Sequence, residues 1–393
     1  MATERFRDLP DRVTALEPTK IRVMFSLAEQ HDGDLVRLEI GEPDFDTPEH
    51  IVDAATEAAR AGKTQYTTGR GVPELREAIA EKSAREHDLD LDPADEIMVT
   101  AGAMEAICLA LLTVAEPDSD VIIPTPAWPN YVIQARIADA NPVQVAMPPE
   151  RGFELDPDRI ADAMSEDTSA VVLNSPSNPT GRIHDREAVE AVVDAAADHG
   201  AYVIADEVYS SLTFEGEPRS MVADIDDRDR TFVVNSCSKQ YAMTGWRVAW
   251  LAGPESLIDN AVTLHPGTTL CASTPSQYAA IGALEGSQEP IEEMHDAFAR
   301  RRDYVAERVA GLPEVTAATP EGAFYAFLDV SAVPGSSFEI AKRLLEEHEV
   351  VTVPGDGFGP GGEGFLRISF ANSLERIGEG FDRIEAFLDD ELA

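Results

Sequence analysis

Basic residues are scarce in this chain, and lysine is the scarcest. Only Lys20, Lys63, Lys82, Lys239 and Lys342 occur among 393 residues, and arginine supplies the rest of the 31 bases. Set against 73 acidic residues, they leave a net charge of −42. Nucleic acid is a poor partner for such a chain, because phosphate binding needs clustered Lys and Arg. Long apolar runs are missing too. The longest, Ala106–Ala115, has ten residues, too few to span a bilayer. The stretch Met1–Pro10 alternates charges and lacks an apolar signal core. Cys108, Cys237 and Cys271 are odd in number and form no CxxC pair, so they read as buried thiols in a reducing cytoplasm. Repeats and low-complexity segments are absent. No GxGxxG nucleotide fingerprint opening a helix appears, since the glycines at 357–364 lead into the strand near Phe365–Ser369, and no GxxxxGK[ST] loop occurs, which argues against dinucleotide or ATP chemistry. No metal site is expected.

What is abundant is acid, spread along the helical stretches rather than gathered in a tail. A whole surface of one sign repels itself and costs stability in dilute buffer. At about 1 M salt the Debye length is roughly 3 Å, which screens most of that repulsion. The surface is therefore of the halophilic, acidic type, suited to concentrated salt.

The length admits two domains with their own cores. Short apolar runs at Ile97–Val99, Val121–Ile123, Ala170–Leu173, Tyr202–Ala205, Phe232–Val234 and Val248–Ala252 alternate with helical stretches such as Arg186–Ala197. That alternation predicts an α/β fold with a mostly parallel sheet covered on both faces. Thr47-Pro-Glu-His predicts a helix start, with Thr47 as N-cap and proline at the first position. Beyond about residue 285 the texture changes. A long charged helix at Ile291–Ala310, strands near Ala323–Asp329 and Phe365–Ser369, and a closing helix at Ser373–Leu388 suggest a smaller α+β domain.

Four of the lysines sit among polar neighbours and read as solvated charges. Lys239 differs, because it follows the buried-strand run Thr231–Val234. Desolvation lowers an amine's pKa and raises its nucleophilicity at neutral pH, as a Schiff-base lysine requires. Ser236, Ser238 and Arg247 lie close enough in sequence to bind a phosphate. Asp206 ends the run Ala201-Tyr-Val-Ile-Ala-Asp, where an aspartate commonly caps the next helix, and Tyr209 alone reads as a core aromatic. Asn174-Ser-Pro-Ser-Asn-Pro-Thr-Gly181 is a tight turn after a strand. Ala101-Gly-Ala-Met104 joins a strand to a helix N-terminus, a ready anion site. Arg367 lies inside an apolar strand and needs an anionic partner.

The segment Ser236–Ala249 resembles the lysine signature of class I, fold-type I aminotransferases, aspartate aminotransferase-like proteins that carry pyridoxal 5′-phosphate (PLP). The likeness runs in register from about Leu38 to the last helix. It implies a seven-stranded-type sheet in a large domain at 46–284 and a small domain built from 1–45 plus 285–393. By this resemblance Lys239 holds the PLP aldehyde and moves the substrate Cα proton. Asp206 pairs with the ring nitrogen, while Tyr209 and Asn178 meet the ring oxygen and Trp128 stacks on the ring face. Gly102, Ala103, Met104, Ser236, Ser238 and Arg247 hold the phosphate. Arg367 takes the substrate α-carboxylate, near Asn178, Trp128 and the backbone of Gly41. Tyr66 reaches the phosphate of a second copy, so a homodimer with shared sites is implied. Tyr131 stands where some relatives have a histidine behind the aspartate, which puts that relay in doubt.

The implied reaction moves the amino group of an L-amino acid to a 2-oxo acid, with 2-oxoglutarate as the expected acceptor. A PLP-dependent lyase or cyclopropane-forming synthase is the alternative on the same fold, and a PLP-binding regulatory module a more distant one. Dicarboxylate-selective relatives carry a basic residue near the phosphate loop. Met104 occupies that place here, which leaves aspartate, alanine, branched-chain and aromatic donors open, with Arg22 or Arg136 as substitute charges.

The charge balance yields one direct test. The melting temperature is expected to rise by several degrees between dilute buffer and molar KCl; no change would contradict the salt reading.

Overall fold

A computed structural model describes Thr14, residues 16–225 and residues 228–392. The stretch Met1–Pro10 and the start of the 1–45 unit lie outside the described residues. In chain order the strands are β1 (Val36–Arg37), β2 (Ile97–Thr100), β3 (Asp120–Thr125), β4 (Asn141–Ala146), β5 (Thr168–Asn174) and β6 (Tyr202–Asp206). They continue with β7 (Thr231–Ser236), β8 (Ala249–Ala252), β9 (Tyr325–Asp329), β10 (Val350–Val351), β11 (Val353–Pro354) and β12 (Phe365–Ser369).

Seven of them form one sheet in the order β2-β8-β7-β6-β5-β3-β4. Strands β4, β3, β5, β6 and β7 run parallel, and β8 runs antiparallel to both β7 and β2. The inner strands are buried nearly throughout, which explains their unbroken apolar runs. Strand β4 gives no such run. It is an edge strand of half-buried residues with proline at its second position, where no partner needs the missing N–H.

The direction of β8 matters for the site. Its first residue, Ala249, pairs with both Ser236 and Thr100, the last residues of β7 and β2. The residues just before β8 therefore emerge at the carboxyl edge of the sheet, beside those that follow β2, β6 and β7. Open α/β sheets bind their ligands at that edge.

A three-stranded antiparallel sheet, β11-β12-β9, and the β1–β10 pair form a second body. Its core joins Met24, Val36 and Leu38 from the start of the chain to Phe324, Phe370, Phe381 and Phe387 near its end. Pairing of Val36 with Val350 ties the two together. The long helix Glu289–Gly311 and the closing helix Leu374–Leu392 cover this core. Among the described residues no helix is long and apolar enough to cross a membrane.

Two local expectations need correction. Thr47 does not cap the helix Glu49–Arg60, whose N-cap is Pro48 with no side-chain bond. Its hydroxyl instead donates to the Ala242 carbonyl at 2.6 Å and accepts from Trp246 Nε1, tying that helix start to the lysine segment. Nor is Lys82 a solvated charge. It is 1% exposed on the helix Pro73–His87, where it pairs with Glu86 one turn away and faces the Tyr241 ring. Burial pulls its pKa down and Glu86 pulls it back. Polar sequence neighbours hid this, because alternate sides of a helix see different surroundings.

Removing the Glu86 charge strands a buried ammonium, a change that typically costs about 3–5 kcal/mol. Glu86→Gln is expected to lose stability toward the lower end of that range in urea denaturation, since Glu86 keeps partial solvent access. An unchanged midpoint would remove the pair from the stabilising contacts.

Candidate active site

Of the fourteen residues singled out as a site, twelve line one cleft of about 250 Å³ at the carboxyl edge of the large sheet. The other two are Gly102, which lies just behind its wall, and Tyr66, which is 82% exposed.

Strand β7 delivers the amine. It ends at Ser236, whose hydroxyl accepts the Ser238 N–H at 3.0 Å and so starts the single helical turn Cys237–Gln240. That turn aims Lys239 into the cleft, where Nζ donates to the Gly41 carbonyl at 2.6 Å. Burial lowers its pKa from 10.5 to about 8, with Glu42 opposing the shift.

Facing it at the tip of β6, Asp206 is 2% exposed. Turns follow it rather than a helix, so it is not an N-cap. The Tyr131 hydroxyl donates to Oδ2 at 2.6 Å and the Val208 N–H to Oδ1 at 3.3 Å. Burial nevertheless pushes the Asp206 pKa up to about 6, and these bonds only moderate the rise. The relay thrown into doubt by the missing histidine is thus made by a tyrosine. Trp128 packs edge-on against that ring, centroids 5.5 Å apart.

Three loops complete the walls. Asn174 Nδ2 donates to the Asp206 carbonyl, and its Oδ1 accepts the Asn178 N–H at 2.9 Å, so the turn after β5 is fixed to the tip of β6. Asn178 Oδ1 accepts from Arg367 at 3.2 Å. At Gly102 the backbone has φ of +88°, and a Cβ there would fall 2.2 Å from Arg247 Nη2, so only glycine lets the guanidinium lie against this turn. Arg247 itself adopts φ of +53°, held by Nη1 donating to the Thr244 carbonyl. Ser236 and Ser238 place their hydroxyls 2.8 Å apart beside it. The first N–H groups of the helix Ala103–Val114 point the same way, lacking intrahelical acceptors.

Arg367 comes from β12 and is 2% exposed. Its two hydrogen bonds go to neutral oxygens, of Asn178 and of the Glu39 backbone at 2.5 Å, and Nε has none. The guanidinium stacks on Tyr325, 4.6 Å from the ring centre. A buried cation so placed still has capacity for an anion. Tyr325 also bonds the Tyr209 hydroxyl at 2.9 Å. It explains Gly41 as well, since a Cβ there would sit 2.6 Å from the Tyr325 oxygen.

Tyr325, Glu39, Ile21, Val208 and Thr244 belong to the walls and were not singled out by sequence. Thr244 lies within the segment Ser236–Ala249, where nothing sets it apart, and Ile21 and Tyr325 lie in no recognisable turn or motif. Arg22 and Arg136 do not line the cleft: Arg22 is exposed on the helix Lys20–Glu29, and Arg136 faces Asn141.

These donors suit PLP. A buried carboxylate matches a protonated ring nitrogen, a buried amine an aldehyde, and the Ser, Arg and helix N–H cluster a phosphate.

A family model described as aminotransferase class I and II matches residues 33–384. Aromatic-amino-acid aminotransferase 2 of Thermococcus litoralis is 38% identical over 97% of this chain and 98% of its own length. An aspartate aminotransferase of Pyrococcus abyssi is 39% identical with the same coverage. The solved aspartate aminotransferase of Thermus thermophilus with maleate is 37% identical, covering 97% of this chain and 100% of its own, with a TM-score of 0.91.

The electrostatics of Asp206 give a pH test. An acid whose pKa is higher folded than unfolded adds stability while protonated; that contribution is complete below 3.8 and lost as pH rises through about 6. Cofactor-free Asp206→Asn is therefore expected to exceed its parent by about 2–3 kcal/mol in urea denaturation at about pH 7.5, the gap closing toward about pH 4. A variant weaker than its parent at neutral pH would contradict this.

Proposed function

The chain belongs to aminotransferase class I and II, PLP enzymes that move amino groups between amino acids and 2-oxo acids, and from that premise we propose how its residues divide the work. The observation that carries the reading is one cleft holding the Lys239 amine, the Asp206 carboxylate and the Arg367 guanidinium together.

When bound, PLP supplies an electron-withdrawing ring that stabilises negative charge at the substrate Cα. The Asp206 carboxylate accepts from the ring nitrogen and keeps it protonated, a charge-assisted bond of roughly 1.5–3 kcal/mol. Tyr131 fixes which way that carboxylate points. Tyr209 and Asn178 would bond the ring oxygen, and Trp128 would help to hold the ring. Ser236, Ser238, Arg247 and the N–H groups of Gly102, Ala103 and Met104 hold the phosphate. Arg367 grips the substrate α-carboxylate with its fork, backed by Asn178, and Gly41 allows close approach. Lys239 Nζ, with its pKa near 8, would take the proton from the substrate Cα and deliver it to the cofactor C4′ carbon near neutral pH, acting as general base and then acid.

Three further points belong to this reading. The chain works as a homodimer in which Tyr66 reaches the partner's phosphate, supported by its exposure on this chain. It acts in the cytoplasm, supported by three free cysteines. Its acidic surface suits concentrated salt. Sedimentation and cell fractionation check the first two. The lyase and synthase alternatives are not favoured, since the relatives named above are aminotransferases.

Lys239→Ala is expected to lose more than about a thousandfold in turnover while keeping the fold. Turnover within tenfold of the parent would reject Lys239 as the acid–base group.

A further inference from the structure

An ion pair is buried at the start of the helix Ala103–Val114. Glu105 stands in the first turn of that helix, with its side chain 9% exposed. One carboxylate oxygen accepts the Ala101 N–H at 2.6 Å and faces His265 Nε2 at 3.3 Å. The other accepts the hydroxyls of Thr268, at 2.8 Å, and Thr269. His265 is fully buried, and its Nδ1 lies 2.8 Å from the carbonyl of Gly69, in the loop that carries Tyr66.

These contacts fix the charge of the ring. A backbone carbonyl and an ionised carboxylate can only accept, so both ring nitrogens must donate, and only the imidazolium does that. Burial raises the Glu105 pKa, but bonds from His265, Thr269, Ala101 and Thr268 outweigh it and hold the acid at about 2. Burial lowers the His265 pKa, while Glu105 and the Gly69 carbonyl more than offset that and leave it above its ordinary 6.5. Glu105 is the charged group that faces the ring. Arg70, beside Gly69, turns to Asp259 of the helix Glu255–Leu264 and to the Asp95 carbonyl. Cys108, further along the Glu105 helix, stays a thiol, its pKa raised by burial and by Glu105.

On the proposed reading, the N–H groups of Gly102, Ala103 and Met104 hold a phosphate dianion, and a bare carboxylate in the same turn would repel it. We propose that His265 is a positioning residue for the cofactor phosphate, its imidazolium cancelling the Glu105 charge while Glu105 holds the turn through the Ala101 N–H; the proposal rests on the phosphate reading above. Losing the imidazolium proton leaves the carboxylate bare and loosens the phosphate specifically, leaving the holds on the ring and the aldehyde as they were.

PLP and pyridoxal differ only in the phosphate, so the ratio of their affinities isolates it. The full chain, stripped of cofactor, is titrated with each aldehyde by absorbance. At about pH 7, His265→Asn is expected to lower the PLP-to-pyridoxal affinity ratio about tenfold, and adding Glu105→Gln to bring it back within about threefold of the parent. Raising the pH from about 7 to about 10, where the phosphate stays a dianion, is expected to lower the ratio by a similar factor in the parent and to leave it flat in Glu105→Gln. Titration of Lys239 affects both aldehydes alike, and this pH series decides the matter should His265→Asn fail to fold. A folded His265→Asn whose ratio stays within about threefold of the parent overturns the proposal. So does a loss that Glu105→Gln fails to recover, or a flat pH series in the parent. A parent that binds PLP no tighter than pyridoxal rejects the phosphate reading and this inference with it. A large parental ratio that ignores both substitution and pH rejects this inference alone.

Discussion

An amine and a carboxylate, both deprived of water, face one cleft at the carboxyl edge of the seven-stranded sheet, and most of the architecture serves to keep them there. Asp206 ends β6 and Lys239 sits on the single helical turn that follows the neighbouring β7, so ladder hydrogen bonds fix the base from which both project. Burial moves their pKa values toward each other, to about 8 and about 6. Each is thereby brought nearer to neutrality, where the proton is easily moved. Neither position is favourable for folding alone, which is the usual relation between active sites and stability.

The second body contributes by supplying what the large sheet lacks. Arg367 lies on β12, between β11 and β9, and its neighbour Tyr325 begins β9. Tyr325 touches three functions at once: it carries the guanidinium on its face, bonds Tyr209, and leaves room at Gly41 only for hydrogen. The start of the chain enters the same arrangement, since Glu39 and Gly41 both present carbonyl groups to the buried cations. A small set of contacts therefore couples the position of the α-carboxylate anchor to that of the amine.

The sequence was legible where the chemistry needs a fixed local pattern. The inner strands announce themselves as apolar runs because both faces are covered. The turn after β5, the glycine before the helix Ala103–Val114 and the lysine segment are constrained by backbone geometry within a few residues. Edge strand β4 was not legible, because one-sided burial leaves no run and its proline argues against a strand. Tyr325 and Lys82 escaped for another reason, and the same reason left the relay at Tyr131, though its position was noted, in doubt. Their roles depend on partners 75 residues away for Tyr131 and 116 residues away for Tyr325, and on which helix face turns inward for Lys82. Nothing within a short window encodes those relations.

The most direct test exploits the scarcity of lysine. Holoprotein is reduced with borohydride, digested, and mapped by mass spectrometry for a phosphopyridoxyl group on each of the five lysines. The account predicts that the label falls on Lys239 alone and that the remaining four stay unmodified. A label on buried Lys82 or an exposed lysine, with position 239 clean, would contradict it.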